Sequence, residues 1–162
     1  MIVREASDDD IPFVMRTERT PGYEQFIGRW ERDAHACEIA NPASRYLIAE
    51  RDGAAVAFAI VERLDDPNGG VYLQRLAAVQ QGRGDGAWLL GAVQDWVFAR
   101  AEAHRLYLHF SVENERGKRL YAAAGFQIEG LERDVYKMPD GRRVSRYLVS
   151  ILRPEWAKLR GM

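Results

Sequence analysis

Leu73-Gln-Arg-Leu-Ala-Ala-Val-Gln-Gln-Gly-Arg-Gly-Asp-Gly-Ala-Trp-Leu-Leu90 is the stretch that decides the fold, because a strand-like block runs through three glycines directly into a helical pattern. The glycines stand at alternate positions, at Gly82, Gly84 and Gly86. The apolar residues after them recur at helical spacing. A glycine-rich turn before a helix leaves several backbone N–H groups unpaired beside the positive end of the helix dipole. The stretch therefore predicts a site for a phosphate or pyrophosphate group.

Length and composition limit the class of protein. The 162 residues suit one domain with a full hydrophobic core. The 23 basic and 24 acidic residues are nearly balanced, which argues against electrostatic binding to nucleic acid or to a membrane surface. No apolar stretch reaches the length of a membrane span, and the first residues are typical of a strand and not of a signal peptide. The single cysteine, Cys37, suits a reducing compartment. We therefore expect a soluble cytoplasmic domain.

Hydrophobic periodicity and turn residues predict the element order β α α β β β α β α β β. Strands are predicted at 2–6, 45–51, 54–64, 71–79, 105–112, 126–137 and 142–152. Helices are predicted at 8–18, 23–39, 85–101 and 114–124, and residues 153–162 as a short surface tail. This order combines hairpins with two crossover units. It predicts the α/β (α+β) class, with a mixed, mostly antiparallel sheet of about six to seven strands and about four helices on both faces.

The second predicted helix carries a buried face. Phe26, Trp30, Ala34 and Cys37 recur at helical spacing along one face, so we expect this face to be buried, with Cys37 as a small hydrophobic residue in it. His35 and His104 are expected at surface positions. The three histidines of the chain show no metal-ligand spacing, so no metal is expected.

Several known glycine motifs compete for the turn. The phosphate loop of nucleotide triphosphatases ends in Gly-Lys-Ser/Thr, whereas here Gly86 is followed by Ala87. The dinucleotide-binding fingerprint fits only if Ala87 takes the place of its last glycine. The pattern Gln81-x-x-Gly84-x-Gly86 resembles the pyrophosphate loop of the GCN5-related N-acetyltransferases (GNAT), which is usually Arg/Gln-x-x-Gly-x-Gly/Ala.

A second block is similar to the same family. In Asn114-Glu-Arg-Gly-Lys-Arg-Leu-Tyr-Ala-Ala-Ala-Gly-Phe126 an Asn opens a helix, Tyr121 follows, and Gly-Phe begins the next strand. The predicted element order is also that of the family. Further matches, such as Ser150-Ile-Leu-Arg-Pro-Glu-Trp156, resemble the branch of the ribosomal-protein N-terminal acetyltransferases. The resemblance covers about residues 1–156 as a single GNAT domain and leaves 157–162 as a C-terminal tail.

The resemblance implies direct transfer of an acetyl group from acetyl-CoA to a primary amine in a ternary complex. It implies that backbone N–H groups of the turn hold the pyrophosphate and that two backbone positions of the preceding strand pair with the pantetheine arm. The cofactor-binding residues implied in this way are Leu76, Ala78, Gln81, Gly82, Arg83, Gly84, Asp85, Gly86, Ala87, Asn114 and Tyr121. Asp85 departs from the family pattern, because a carboxylate beside a pyrophosphate is unfavourable unless it points away. Its alternative role is to cap the following helix.

Two residues are candidates for proton transfer. By the resemblance, Tyr121 is the general acid that protonates the leaving thiolate, and the alternative is a core aromatic residue. His109 stands where some ribosomal-protein acetyltransferases carry a Glu, and it shares a strand face with Tyr107. Its neutral imidazole would accept the proton of the amine directly or through water, and the alternative is a packed histidine. Glu62 and Glu113 are weaker candidates for the base.

The acceptor is less clearly encoded. Phe13, Tyr23, Phe26 and Trp30 are candidates to line its site, with the core as their alternative. An α-amine is about one-tenth neutral at pH 7, whereas a lysine amine is neutral only about once in 2,500. A modest base therefore favours a protein or peptide N-terminus, with a small-molecule amine next. The rival hypothesis is a non-catalytic acyl-CoA-binding sensor or subunit with the same fold. The sequence leaves the oligomeric state open, with a homodimer as one alternative because small domains of this kind often pair.

Overall fold

The computed structural model describes residues 1–138 and 140–162. Its strands form one seven-stranded sheet in the order β1-β2-β3-β4-β5-β7-β6. They are β1 (Ile2–Glu5), β2 (Arg45–Arg51), β3 (Ala54–Glu62), β4 (Gly70–Ala78), β5 (Arg105–Ser111), β6 (Gln127–Lys137) and β7 (Arg143–Leu152). The helices are α1 (Ile11–Glu18), α2 (Arg32–Ala40), α3 (Asp85–Phe98), α4 (Glu115–Ala123) and α5 (Arg153–Leu159), with a 3-10 turn at Asp8–Asp10. The predicted class is confirmed, with one helix more than expected.

Helices cover both faces of the sheet, because successive strand residues point to opposite sides. On β2, Leu47 belongs to the larger buried cluster with side chains of α3 and β5, while Ile48 belongs to a smaller cluster with Val14 of α1. The larger cluster also receives Trp156 of α5. The sheet is therefore the central layer between two hydrophobic cores.

β4 and β5 are the one parallel pair among the described strands, and they separate along their length. Their pairing covers only Gly70–Tyr72 against Arg105–Tyr107. Just beyond that point, the register of β4 against β3 skips Gln74, which makes a β-bulge. A bulge bends its strand and increases the local twist. The remaining halves of β4 and β5 diverge and leave an open gap in the middle of the sheet.

The predicted second helix is partly wrong. Only Arg32–Ala40 is helical, and the preceding residues form irregular turns. The buried face was inferred from Phe26 and Trp30, which both lie before this helix; Phe26 is exposed and Trp30 is half-buried. As a result Cys37 is exposed and His35 is fully buried, the reverse of what was expected. His104 is exposed, as predicted.

The predicted C-terminal surface tail is also wrong, because residues 153–159 form α5. A carboxylate oxygen of Glu155 accepts the backbone N–H of Leu152 at 2.8 Å at the start of this helix. The ring of Trp156 lies 5.2 Å from that of Phe98 and donates a hydrogen bond to Asp95. The expected boundary between residues 156 and 157 falls inside α5.

The last predicted hairpin is present as β6 and β7, although Pro139 at its turn lies outside the described residues. In the described ranges, no helix is both long enough and apolar enough to cross a membrane.

Candidate active site

Two connected cavities open where β4 and β5 diverge. The splay cleft, of about 260 Å³, lies between the two strands and reaches Gly86, Asn114 and Tyr121. The side cleft, of about 240 Å³, reaches Tyr72 and Arg146. They share lining residues, which are Phe26, Ile27, Gly28, Gln74, Arg75, His109 and Phe110. One molecule entering through each cleft would meet the other at His109 and Phe110.

The glycine turn lies at one end of the splay cleft. Gly82 and Gly84 have φ values of +84° and +89°, in the left-handed region that favours glycine. The first N–H group with a partner inside α3 is that of Trp88, which donates to the carbonyl of Gly84 at 2.9 Å. The N–H groups just before it have no helical acceptor, as expected at a helix N-terminus. Unpaired N–H groups at a helix N-terminus suit an anion, so the turn stays the predicted site of the pyrophosphate.

Asp85 does not cap α3, so that alternative is wrong. The N-cap residue is Gly84, without a side-chain cap. The carboxylate of Asp85 is only 1% exposed and forms an ion pair with Arg51 of β2. Asp85 does not line the splay cleft, in contrast to its neighbour Gly86. Its charge is therefore compensated within the protein.

The backbone of Ala78 already has a partner. The hydroxyl of Tyr23 donates to the Ala78 carbonyl at 2.8 Å and accepts the Ala78 N–H at 3.2 Å. The N–H group of the next residue, Val79, donates to Val56 of β3. Because the backbone groups of successive strand residues point to opposite edges, the N–H and C=O groups of Ala78 face the gap. A pantetheine amide can pair with Ala78 only after the Tyr23 hydroxyl moves away, whereas Leu76 lines the cleft without that contact.

Two predicted residues of the second sequence block line the splay cleft. Asn114 caps α4, since its side-chain oxygen accepts the N–H of Gly117 at 2.8 Å. The ring of Tyr121 packs 5.2 Å from Phe110 and 5.8 Å from Phe126. Burial raises the pKa of the Tyr121 phenol, so its hydroxyl keeps its proton at neutral pH. The residue is packed in the core and also lines the cleft.

His109 lines both clefts. Its Nδ1 lies 3.3 Å from the hydroxyl of Tyr72, and its Nε2 lies 3.6 Å from a carboxylate oxygen of Glu132. Burial lowers the pKa of His109, and the charge of Arg146 lowers it further, so the imidazole is neutral at pH 7. Neither of the two alternative bases, Glu62 and Glu113, lines either cleft. Burial raises the pKa of Glu62, and the carboxylate of Glu113 forms an ion pair with Arg142.

The residues predicted for the acceptor site separate into two pairs. Tyr23 lines the splay cleft and Phe26 lines both clefts. Phe13 and Trp30 instead pack in the smaller core. A buried ion pair between Glu18 and Arg75 contacts the turns before α2, which bring Tyr23 and Phe26 to the clefts. Glu18 accepts the backbone N–H of Trp30 at 3.2 Å, and Arg75 lies over its ring.

Sequence reasoning missed several residues of the clefts. Arg75 stacks on Trp30 at 4.0 Å and lines both cavities, and Tyr72 was not considered although it lies on the same stretch of strand. Regular strand alternation puts residues 72 and 75 on opposite faces of the sheet. The bulge at Gln74 brings their side chains to the same face, and the sequence does not reveal that bulge. Of the predicted cofactor residues, Gln81 lines the splay cleft, and Arg83 is exposed at the turn.

The clefts hold no metal-binding cluster. Within residues 1–138 and 140–162, no group of three or more His, Cys, Asp or Glu side chains is placed to hold a metal ion.

Comparison with known proteins identifies the family of this architecture. The family described as "Acetyltransferase (GNAT) family" matches residues 13–126. N-alpha-acetyltransferase RimI of Mycobacterium tuberculosis is 33% identical over 118 residues, which cover 70% of this chain and 72% of that protein. Spermidine N(1)-acetyltransferase of Vibrio cholerae is 36% identical over 55 residues, which cover 34% of this chain and 32% of that protein.

Solved structures share the fold across nearly the whole chain. The spermidine N-acetyltransferase of Vibrio cholerae, in complex with CoA and spermine, superposes with a TM-score of 0.83 at 20% identity and covers 96% of both chains. The ribosomal-protein-S18-alanine N-acetyltransferase of Escherichia coli has a TM-score of 0.77 at 20% identity, over 93% of this chain and 92% of that one.

Proposed function

Because the chain belongs to the GNAT family and is an acetyl-CoA-dependent N-acyltransferase, we propose that it acetylates the α-amine of a protein or peptide N-terminus. The observation that carries this proposal is the meeting of two clefts at His109. Acetyl-CoA enters through the splay cleft and the acceptor through the side cleft. Transfer is direct, within a ternary complex, because both reactants reach the same point of the gap.

The cofactor lies along the glycine turn and then along β4. The N–H groups of residues 82–87 hold its pyrophosphate, with Arg83 as added positive charge. Its pantetheine arm runs into the gap and pairs with the backbone of β4 at Leu76, and at Ala78 once the hydroxyl of Tyr23 has moved. The arm thus extends the sheet where β5 has turned away. Gln81 and Asn114 flank this path in the same cleft.

Tyr121 protonates the departing thiolate. The reaction breaks the thioester C–S bond as the amine nitrogen forms the amide bond, and the sulfur needs a proton. Tyr121 has the raised pKa that burial gives a phenol, so it is fully protonated when the thiolate leaves. The same apolar surroundings also raise the pKa of the CoA thiol, because they disfavour its thiolate. The pKa difference between phenol and thiol therefore stays small enough for the proton to pass from Tyr121 to the sulfur.

His109 accepts the proton of the ammonium group. Its pKa is lowered, so it is neutral and able to accept a proton at pH 7, but it is a modest base. A modest base is sufficient for an α-amine, which is about one-tenth neutral at that pH. It is poorly matched to a lysine or polyamine nitrogen with a pKa near 10.4.

The charges of the side cleft also favour a peptide over a polyamine. Among the described residues that line it, Glu24 is the one carboxylate, and its two arginines are each paired with a carboxylate, Arg75 with Glu18 and Arg146 with Glu132. A polyamine carries several cations and needs opposing carboxylates. The walls formed by Tyr136 and Val144 instead suit the first side chains of a peptide. RimI, the relative at 33% identity, is named as an N-alpha-acetyltransferase.

Steady-state assays of CoA release test the proposal. The acceptors are a panel of peptides with free N-termini, the same peptides with blocked N-termini but a lysine, and spermidine. We expect turnover of free N-termini, with kcat/KM at least about tenfold above that of lysine or spermidine. Faster turnover of spermidine would overturn the choice of acceptor.

The Tyr121→Phe variant separates the enzyme from the non-catalytic alternative. We expect kcat to fall about 100-fold or more while acetyl-CoA affinity is kept, because only the proton donor is removed. Tyr147→Phe is the matched control, since its ring also packs on Phe110. Binding of acetyl-CoA by the wild type without turnover of any acceptor would support the sensor instead.

A further inference from the structure

The surroundings of His109 determine which of its nitrogens is free to accept a proton. The charged and titratable groups that face it come from four strands and are Tyr72 of β4, Arg105 and Tyr107 of β5, Glu132 of β6 and Arg146 of β7. The carboxylate of Glu132, which accepts a hydrogen bond from Arg146, also faces Nε2 at 3.6 Å, an electrostatic contact longer than a hydrogen bond. A carboxylate only accepts hydrogen bonds, so it favours the tautomer with the hydrogen on Nε2.

In that tautomer the lone pair of His109 lies on Nδ1, and Tyr72 covers it. The hydroxyl of Tyr72 is 3.3 Å from Nδ1, and with the hydrogen on Nε2 this hydroxyl is the donor and Nδ1 the acceptor. The rings of Tyr72 and His109 meet edge to face at 5.6 Å, and Tyr107 packs at 5.0 Å on Tyr72. The hydroxyl of Tyr72 therefore occupies the position from which an acceptor amine would reach the basic nitrogen directly.

We propose that the hydroxyl of Tyr72 takes the proton from the acceptor amine and passes its own proton to Nδ1 of His109. This inference rests on the proposed function of the side cleft, which Tyr72 lines. Tyr72 is also the last residue of β4 that pairs with β5, so its side chain lies where the gap begins. It is the group between the acceptor and the base.

The proton balance of this relay is closed. One N–H bond of the ammonium breaks as a new O–H bond forms on Tyr72. The original O–H bond of Tyr72 breaks as an N–H bond forms on His109. The products are a neutral amine, an unchanged phenol and an imidazolium. The charge of Glu132, opposite Nε2, favours that imidazolium and makes Glu132 a positioning residue, while the charges of Arg146 and Arg105 oppose it and keep His109 a modest base.

The state of Tyr72 in the free protein suits this role. Burial raises the pKa of the Tyr72 phenol, so the hydroxyl is protonated and able to donate at neutral pH. The nearby Tyr107 differs, because its hydroxyl accepts a hydrogen bond from Arg63 at 2.6 Å and does not contact His109. Tyr107 is therefore a matched control for loss of a phenolic hydroxyl from the same cluster.

Imidazole ¹⁵N NMR of the free protein tests the arrangement without any acceptor. The chain has three histidines, so His109→Gln assigns the signal of His109. We expect neutral His109 as the Nε2–H tautomer, and Glu132→Gln to weaken that preference. A dominant Nδ1–H tautomer would overturn the relay, because His109 would then donate to Tyr72.

Kinetics of Tyr72→Phe and Tyr107→Phe test the proton path, with the peptide that the wild type acetylates best. We expect Tyr72→Phe to lower kcat about 100-fold with an unchanged Kd for acetyl-CoA, and Tyr107→Phe to stay within about threefold of wild type. The fall in rate on the acid side, which reports His109 in the wild type, should disappear in Tyr72→Phe.

The outcomes separate the relay from the proposed function. Equal rates and equal pH profiles for the two Phe variants would overturn the relay alone. Absence of peptide acetylation by the wild type would overturn the proposed function, and the relay with it. Thermal unfolding of both variants checks that any loss of rate comes from a folded protein.

Discussion

Arg51→Met isolates the buried charge at the glycine turn. The variant removes the guanidinium that pairs with Asp85 and keeps an apolar stem of similar length. Asp85 is 1% exposed, so its carboxylate is left without solvent or a partner. The same charge then lies one residue after the N-cap of α3, at the site proposed for the pyrophosphate.

The size of the effect follows from the burial of the two partners. Removing one partner of a buried ion pair costs about 3–5 kcal/mol. The side chain of Arg51 is 32% exposed, so water partly screens the pair and the lower end, about 3 kcal/mol, is appropriate. For a domain of this length, each kcal/mol lowers Tm by about 2–4 °C. We therefore expect Arg51→Met to lower Tm by roughly 6–12 °C.

A double variant provides the control. Arg51→Met with Asp85→Asn removes both charges and should recover most of the loss, to within about 1 kcal/mol of the wild type. Urea unfolding measures the free energies, and calorimetric titration measures the Kd for acetyl-CoA. Affinity should fall in Arg51→Met, because the uncompensated carboxylate repels the pyrophosphate, and should return in the double variant.

Two results would refute this reasoning. A loss below about 1 kcal/mol in Arg51→Met would mean that the Asp85 carboxylate is solvated, as surface pairs are. Unchanged acetyl-CoA affinity in all three proteins would mean that the pyrophosphate does not bind near this carboxylate.

Four further predictions concern stability. Gly117→Ala should destabilise the protein by about 1–2 kcal/mol in urea unfolding, because the new Cβ would lie 2.7 Å from the amide nitrogen of Asn114 and displace this cap. Gly91→Ala, whose Cβ meets only the flexible end of an arginine at 3.4 Å, should be neutral or stabilising by up to about 1 kcal/mol. Trp156→Ala should cost about 3 kcal/mol, measured in the same way, and an unchanged Tm would mean that α5 is only a surface tail. The lowered pKa of His109 means that the unfolded chain binds the extra proton first, so stability falls as pH drops below about 6.5. His109→Gln should lose less stability than the wild type between pH 7 and 5, and equal losses would contradict the lowered pKa.

Local signals in the sequence were sufficient for much of the fold. Asp52-Gly53 predicted the β2–β3 hairpin, and both residues adopt positive φ there. Asn114 was a candidate cap for α4 and does cap it, because Asn at this position accepts a backbone N–H within the next turn. These features depend on residues close in sequence, which is why they could be predicted.

The errors come from contacts between distant residues. The turns before α2 are fixed by Arg75, which pairs with Glu18 and stacks on Trp30, and no local pattern indicates that contact. The prediction from periodicity therefore began the helix too early in the chain. It also expected Cys37 to be buried and His35 to be exposed, whereas the structure shows the reverse. The end of the chain is different, because Pro154 in the first turn of α5 is a local helix signal that could have predicted that helix.

The site was predicted in the same uneven way. The glycine turn and Tyr121 follow from sequence spacing. The ion pair of Asp85 with Arg51 joins residues 34 positions apart, and the contact of Tyr23 with Ala78 joins residues 55 apart. The relay partner Tyr72 depends on the divergence of β4 and β5, which the bulge at Gln74 produces.

A crystal structure of the protein with CoA tests the central claim most directly. We expect the pyrophosphate on the N–H groups of residues 82–87, the pantetheine arm in the gap beside Leu76, and the sulfur facing the hydroxyl of Tyr121. A pyrophosphate bound away from the glycine turn, or an arm that stays outside the gap, would contradict it.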